Sequence, residues 1–94
     1  MEIPVENIFQ KGLEAQKADQ LDDAVHYYSP VLKSDQNHSD ANNNMSFIAL
    51  GLCNHTDALN FFEQALISNP TFEISWIGFI ETLIELDQIA DAEK

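Results

Sequence analysis

Histidine and carboxylate side chains are the residues of this chain that could bind a metal ion. The histidines are His26, His38 and His55, and no two of them are three or four positions apart, as ligands on one helix would be. The segment 35–39 resembles the start of a calcium loop, but the glycine and the glutamate that such a loop needs further on are missing. The sequence therefore predicts no metal site and no cofactor.

Residue patterns for nucleophilic or phosphate chemistry are also missing from the sequence. No serine lies in a nucleophile-elbow motif, and Gly12, Gly51 and Gly78 are too dispersed to form a phosphate-binding loop. Paired carboxylates such as Asp22 and Asp23 are adjacent in the chain, so they do not face each other across a site. We therefore predict that the protein is not an enzyme.

Composition restricts the compartment and the partners. The chain has 16 acidic residues, four lysines and a net charge of −12, which disfavours binding to nucleic acid and to anionic membranes. Its one cysteine, Cys53, excludes an internal disulfide and fits a reducing compartment as a small, partly buried side chain. No apolar run could span a bilayer, and residues 1–10 show no secretory signal. We expect one cytoplasmic domain whose partner is a protein or peptide.

The elements that carry these residues are amphipathic helices with a long repeat. In the segment 57–70, small and large apolar residues recur on one helical face, and an earlier segment has the same pattern. The two sets are Ala24, Tyr28, Val31 and Leu32, then Ala58, Phe62, Ala65 and Leu66. We call the constant separation between them the period, and Ala92 follows Ala58 by one more period. The sequence thus predicts at least two copies of one helical unit.

A second series of positions has the same period. It separates Gly12 from Ser46, Ala15 from Ala49, and Ala49 from Leu83. Two helices in each period, with small residues where they cross, are typical of a helical solenoid. We therefore predict an all-α fold of about two and a half repeats, with five helices plus a truncated sixth.

These positions resemble the tetratricopeptide repeat (TPR) motif. That motif opens with an aromatic residue, continues with a small residue, then has alanine and an aromatic residue four positions on, and closes with proline. The matches are Trp76, Gly12, Ser46, Ala24, Tyr28, Ala58, Phe62, Ala92 and Pro70. The departures are Asn42, Lys11, Ile80 and Gln36. The chain is similar to the TPR superhelix segments of O-GlcNAc transferase-like and bacterial multi-TPR proteins, which implies right-handed stacking.

The resemblance divides the single domain 1–94 into repeat 1 at about 5–38, repeat 2 at about 39–72 and a partial repeat 3 at about 73–94. We predict helices at about 5–17, 22–35, 41–52, 56–69 and 73–86, and the beginning of a sixth helix at 89–94. Pro30 should lie inside the second helix and kink it. Asn54 should be the left-handed residue that ends the third helix, and Thr56 should cap the fourth.

The resemblance also implies a peptide-binding groove on the concave face, which the first helix of each repeat lines. The residues that it assigns to this groove are Phe9, Gln10, Leu13, Lys17, Asn43, Asn44, Phe47, Ile77 and Glu81. Lys17 is the only cation among them, so a clamp for a peptide carboxylate is not expected. Asn44 resembles the asparagine ladder with which O-GlcNAc transferase superhelices bind a peptide backbone, although a solvated surface amide explains it equally well.

The alternative function is that of an assembly or spacer segment from the N-terminal part of a longer protein. The fifth predicted helix is apolar almost all round, and such a helix is normally buried on more than one side. The incomplete third repeat should leave part of it uncovered. We therefore expect self-association into a homodimer through an apolar surface formed by Trp76, Ile77, Phe79, Ile80 and Ile84.

Overall fold

The computed structural model describes residues 4–92 and consists of helices packed in sequence order. The five helices are α1 (Val5–Lys17), α2 (Leu21–Ser34), α3 (Ser39–Gly51), α4 (His55–Ser68) and α5 (Glu73–Ala92). α1 packs against α2 and α3 packs against α4 as antiparallel pairs, and each helix contacts the next along the chain. The molecule measures 55 × 28 × 19 Å, an elongated shape typical of stacked repeats. The predicted all-α solenoid is confirmed.

The backbone torsions of the two complete helix pairs repeat with the period of the sequence. Asp19 and Cys53, in the turn within each pair, have φ angles of 60° and 58°. Gln20 and Asn54, which follow them, have φ angles of −94° and −100°. One period separates each residue of the first turn from its counterpart in the second. The chain therefore builds the same turn twice, once in each helix pair.

The predicted left-handed position was wrong by one residue. Cys53, which was predicted to be partly buried, is exposed and takes the left-handed conformation. Asn54 occupies the N-cap position of α4 without a side-chain capping hydrogen bond, and Thr56 lies inside that helix. The Asn54 N–H donates to the carbonyl of Ala49 at 2.8 Å, and the Cys53 N–H donates to that of Leu50 at 3.0 Å. These bonds form a Schellman motif, which requires a left-handed residue directly after the C-cap whatever its type.

The predicted break after Leu86 and the predicted sixth helix at 89–94 are wrong as far as Ala92, because α5 continues to that residue. Asp87, Gln88 and Ile89 nevertheless correspond to Asp19, Gln20 and Leu21, the first turn, two periods earlier. The free-energy cost of interrupting the helix at the first turn is offset because a whole second helix is then buried on the first. Within residues 4–92 no helix packs on α5 from that side, so continued helical hydrogen bonding is favoured.

Contacts between an aromatic ring and a glycine bring the helices together. A Cβ atom at Gly12 of α1 would lie 2.5 Å from Cε1 of Tyr28 in α2, and one at Gly78 of α5 would overlap the ring of Phe62 in α4. Both rings are completely buried. The prediction that Gly12 allows close helix approach is confirmed, and the contact at Gly78 is a second example that the sequence analysis did not identify.

Pro30 lies inside α2, as predicted, and the helix continues past it to Ser34. Proline lacks an N–H group, so the carbonyl four residues earlier, that of His26, loses its normal helical donor. The ring of Pro30 is exposed, whereas the next residue, Val31, is fully buried.

Among the described residues, no helix combines the length and the apolar character needed to cross a membrane.

We expect Gly12→Ala to destabilise the fold by about 1–3 kcal/mol, because the new methyl group must displace a buried ring or separate two helices. Gly51→Ala is the matched control, since Gly51 is exposed and a Cβ there meets nothing within 4 Å. That variant should leave stability unchanged or raise it by up to about 1 kcal/mol. Urea unfolding of the two variants measures the difference, and equal stabilities would contradict the close contact.

Pro30→Ala should raise the melting temperature, because alanine restores an N–H donor to the carbonyl of His26 and removes a ring from the helix. The gain should stay below about 3 kcal/mol, the cost of proline in a relaxed helix interior. Pro70→Ala, in the loop between α4 and α5, restores no helical bond and should not stabilise the protein. A lower melting temperature for Pro30→Ala would show that α2 needs the proline to position Val31.

Candidate functional site

The first helices of successive pairs lie side by side. The ring of Phe9 in α1 lies 4.9 Å from that of His38, the residue that caps α3, measured between centroids. The hydroxyl of Ser75 in α5 donates to Asn43 Oδ1 in α3 at 2.7 Å. These contacts join α1 to α3 and α3 to α5. The three helices therefore form one continuous surface.

We call this surface the groove surface and define it by the predicted residues that solvent reaches. They are Gln10, Leu13, Lys17, Asn44, Phe47, Ile77 and Glu81. The side chains of Phe47 and Ile77 are 39% and 55% exposed. The inner edge of Phe47 packs on Phe62 in a T-shaped contact of 5.4 Å, so its ring is held in place while one side stays open. The surface thus presents apolar, amide and charged groups together.

Two predicted groove residues are not open to solvent. Phe9 and Asn43 are each only 6% exposed. Phe9 packs on Tyr28, with ring centroids 5.7 Å apart, and Asn43 accepts the hydrogen bond from Ser75. Phe9 faces α2 and the residue that caps α3, and Asn43 faces α5. Because each is occupied by helix packing, we correct their placement and leave them out of the groove surface.

A chain of hydrogen bonds runs beneath the groove surface and joins three helices. Asn44 Nδ2 in α3 donates to the Tyr28 hydroxyl at 3.3 Å, and that hydroxyl donates to Gln16 Oε1 in α1 at 2.6 Å. Burial raises the pKa of Tyr28, and the hydrogen bond from Asn44 lowers it by a smaller amount. The tyrosine is therefore neutral at physiological pH and can donate. This chain positions the amide of Asn44, which is half-buried.

A second surface lies on the solvent-exposed side of α5. We call it the outer face of α5 and define it by five large apolar residues with 44–55% exposure: Trp76, Ile77, Ile80, Leu83 and Ile84. The side of α5 that packs on α4 instead carries the small residues Ser75, Gly78 and Thr82, all buried. α5 therefore turns small residues inward and large apolar residues outward.

Phe79, which was predicted to belong to the self-association surface, lies between the two sides of α5. It is half-buried and packs against the cluster of Ala49, Ala58 and Phe62. Its ring also meets that of Trp76 edge-on, with centroids 6.2 Å apart. Phe79 thus belongs mainly to the contact between α4 and α5, and we correct its placement accordingly.

Two polar contacts between helices were not predicted from the sequence. One is the bonded chain through Tyr28, and the other joins His55 Nε2 of α4 to Glu85 Oε2 of α5 at 2.9 Å. Comparison of equivalent positions could have indicated the first, because Tyr28 carries a hydroxyl where Phe62 has none. The second joins residues 30 positions apart on different repeats, and no sequence pattern indicates it.

Comparison with known proteins gives one kind of match. No protein-family model matches the chain, and no curated protein matches it. Among solved structures, the chain is similar to the TPR domain of Arabidopsis OM64, with a TM-score of 0.82 and 22% sequence identity. The match covers 94% of this chain and 73% of that one. This likeness shows that the chain has a TPR-like fold.

Tyr28→Phe should destabilise the protein by about 1 kcal/mol, because Gln16 and Asn44 both lose a partner in a partly buried place. Tyr27→Phe is the matched control, since Tyr27 takes no part in this chain of bonds. A raised pKa in the folded state means that the contribution of Tyr28 is present below about pH 10 and is lost as pH rises further. Tyr28→Phe should therefore weaken the loss of stability above pH 10, as measured by urea unfolding against pH.

Proposed function

From the TPR-like fold, we propose that this chain is a non-catalytic interaction module that binds an extended segment of a protein partner along the groove surface. The observation that supports this most is the amide of Asn44, which is held by Tyr28 next to the open ring of Phe47. An extended peptide offers backbone N–H and C=O groups together with apolar side chains. The groove surface presents complementary groups for both.

The bonding capacity of Asn44 suits a peptide backbone. An asparagine amide has two N–H donors and a carbonyl oxygen with two lone pairs, and Tyr28 uses one of the donors. The remaining donor and the oxygen can pair with one peptide unit. Because the bond to Tyr28 already orients the amide, less conformational entropy is lost on binding. Recognition of this kind does not depend on the side chain of the bound residue.

Charge restricts the class of peptide. The groove surface has one cation, Lys17, and one carboxylate, Glu81, within a chain of net charge −12. The surrounding field attracts basic segments and repels acidic ones, and added salt screens both effects. We propose a neutral or basic partner segment, and a cytoplasmic location, which suits the exposed thiol of Cys53.

A peptide array in which short extended peptides differ in net charge would supply the probe, and an NMR titration of the best binder would locate its site. We expect shifts on α1, α3 and α5, and a loss of affinity of about tenfold for Asn44→Ala or Phe47→Ala. Asn60→Ala, an exposed amide on α4, is the matched control and should bind normally. Shifts confined to α2 and α4 would exclude the groove surface as the binding site.

A second candidate function is assembly through the outer face of α5. The specific observation in its favour is the set of five adjacent large apolar side chains that are 44–55% exposed. Apolar patches of this kind mark interaction sites more often than they mark plain surface. Self-association into a homodimer, which the sequence analysis expected, is one form that this assembly can take and stays a prediction.

A further inference from the structure

Three equivalent positions of the first helix are covered in two repeats and open in the third. They are Ile8, Gly12 and Ala15 in α1, Asn42, Ser46 and Ala49 in α3, and Trp76, Ile80 and Leu83 in α5. The second helix of each complete pair covers the first two sets, and no residue among them is more than partly exposed. Those of α5 are 44%, 52% and 44% exposed. The outer face of α5 thus corresponds to the face of α1 and α3 that the second helix of a complete pair covers.

A cleft of about 340 Å³ between α4 and α5 borders this face. Leu66 and Ile67 of α4 and Trp76 and Phe79 of α5 line it, and Glu63 stands with them. Trp76 Nε1 donates to the carbonyl of Pro70 at 2.7 Å, which holds the indole in place. The cleft and the outer face of α5 therefore form one continuous apolar surface with a fixed aromatic ring.

We infer that this surface docks a single amphipathic helix of a partner protein, which lies antiparallel to α5 and carries basic residues beside its apolar stripe. The inference rests on the assembly role proposed above for the outer face of α5. Trp76, Ile80 and Leu83 are spaced i, i+4 and i+7, which makes an apolar row nearly parallel to the helix axis that a second helix can pack along. The docked helix takes the place relative to α5 that α2 takes relative to α1.

The side chains of α5 define the apolar stripe of this partner helix. Ile80 stands where Gly12 and Ser46 stand in the complete repeats, so it leaves no room for a ring such as that of Tyr28. A small residue, such as alanine, fits opposite Ile80. Larger residues such as leucine fit beside this small residue, toward the cleft that Phe79 and Leu66 line.

The charges around the surface favour a basic partner. α5 has no basic residue, and Glu73 and Asp87 stand at the two ends of its apolar row. Glu81 lies along one side of this row, and Glu63 lies beside the cleft between α4 and α5. Lysine or arginine on the flanks of the docked helix would meet these carboxylates at the rim of the contact. Such complementarity raises the association rate and selects the partner.

The same charges disfavour a second copy of this chain as the occupant. Two α5 helices paired antiparallel about Ile80 would set Glu73 of one copy beside Asp87 of the other, because each lies seven positions from Ile80. Each copy also has a net charge of −12. Like charges placed opposite each other oppose association, and more strongly at low salt. A basic helix meets no such repulsion.

Trp76 is the only tryptophan of the chain, so its fluorescence reports on this surface directly. The probe is a synthetic helical peptide without tryptophan, with alanine and leucine at the a and d positions of its heptads and lysine or glutamine elsewhere. We expect it to shift Trp76 emission to the blue and to protect the indole from acrylamide. The same peptide with glutamate in place of lysine should not bind, and salt should weaken binding of the lysine peptide.

Ile80→Glu should weaken binding of the lysine peptide by about tenfold or more, since it places a carboxylate in the apolar row of α5. Leu52→Glu is the matched control, because Leu52 is 61% exposed at the end of α3, away from this surface, and binding should persist. Circular dichroism checks that both variants remain helical. Equal binding by wild type and Ile80→Glu overturns the proposed site.

Sedimentation of the chain alone separates the other occupants. A dimer that Ile80→Glu dissociates, and that the lysine peptide does not displace, overturns the inference in favour of a second copy. Equal binding of the lysine and glutamate peptides overturns the charge selectivity. Failure here is distinguishable from failure of the groove surface, because the lysine peptide should shift the Trp76 indole resonance and not the Asn44 side-chain amide resonance in NMR spectra.

Discussion

The contact of an aromatic ring with a glycine in a neighbouring helix is the interaction on which the rest of this structure depends. Tyr28 packs on Gly12 within the first helix pair, and Phe62 packs on Gly78 between the second pair and α5. Because neither glycine has a Cβ atom, the rings reach the helix backbone and are buried completely. This approach sets the spacing of the stack. It also places the hydroxyl of Tyr28 between Gln16 and Asn44.

The exposure of the outer face of α5 follows from the same packing. Phe62 needs a small surface opposite it, and α5 supplies Ser75, Gly78 and Thr82 on that side. The hydroxyls of Ser75 and Thr82 are satisfied by Asn43 and by the carbonyl of Gly78, so their burial leaves no polar group unpaired. The large apolar residues of α5 are thereby left on the other side. Within the described residues, α5 therefore exposes a large apolar surface.

Two surfaces of different character result, and they share only Ile77 at their edge. The groove surface is mixed, with an oriented amide, an open aromatic ring and few charges. The outer face of α5 is apolar at its centre and acidic at its rim. We propose an extended peptide for the first because backbone groups can pair with Asn44. We propose a helix for the second because its apolar residues form a row nearly parallel to the helix axis. The proposed partners at both are basic because the chain is negatively charged.

The sequence by itself determined the period, the helical class and most helix bounds to within about two residues, because these depend on local periodicity and on residue size at helix crossings. Solvent reaches seven of the nine residues predicted for the groove, and their role in peptide binding stays a prediction. Tertiary structure decided that Phe9 and Asn43 are buried, since the covered side of a helix depends on which other helices pack on it. It likewise decided the fate of two similar turn sequences. Asp19 adopts the left-handed turn because α2 then packs on α1, whereas Asp87 stays helical because no second helix packs on α5 within the described residues.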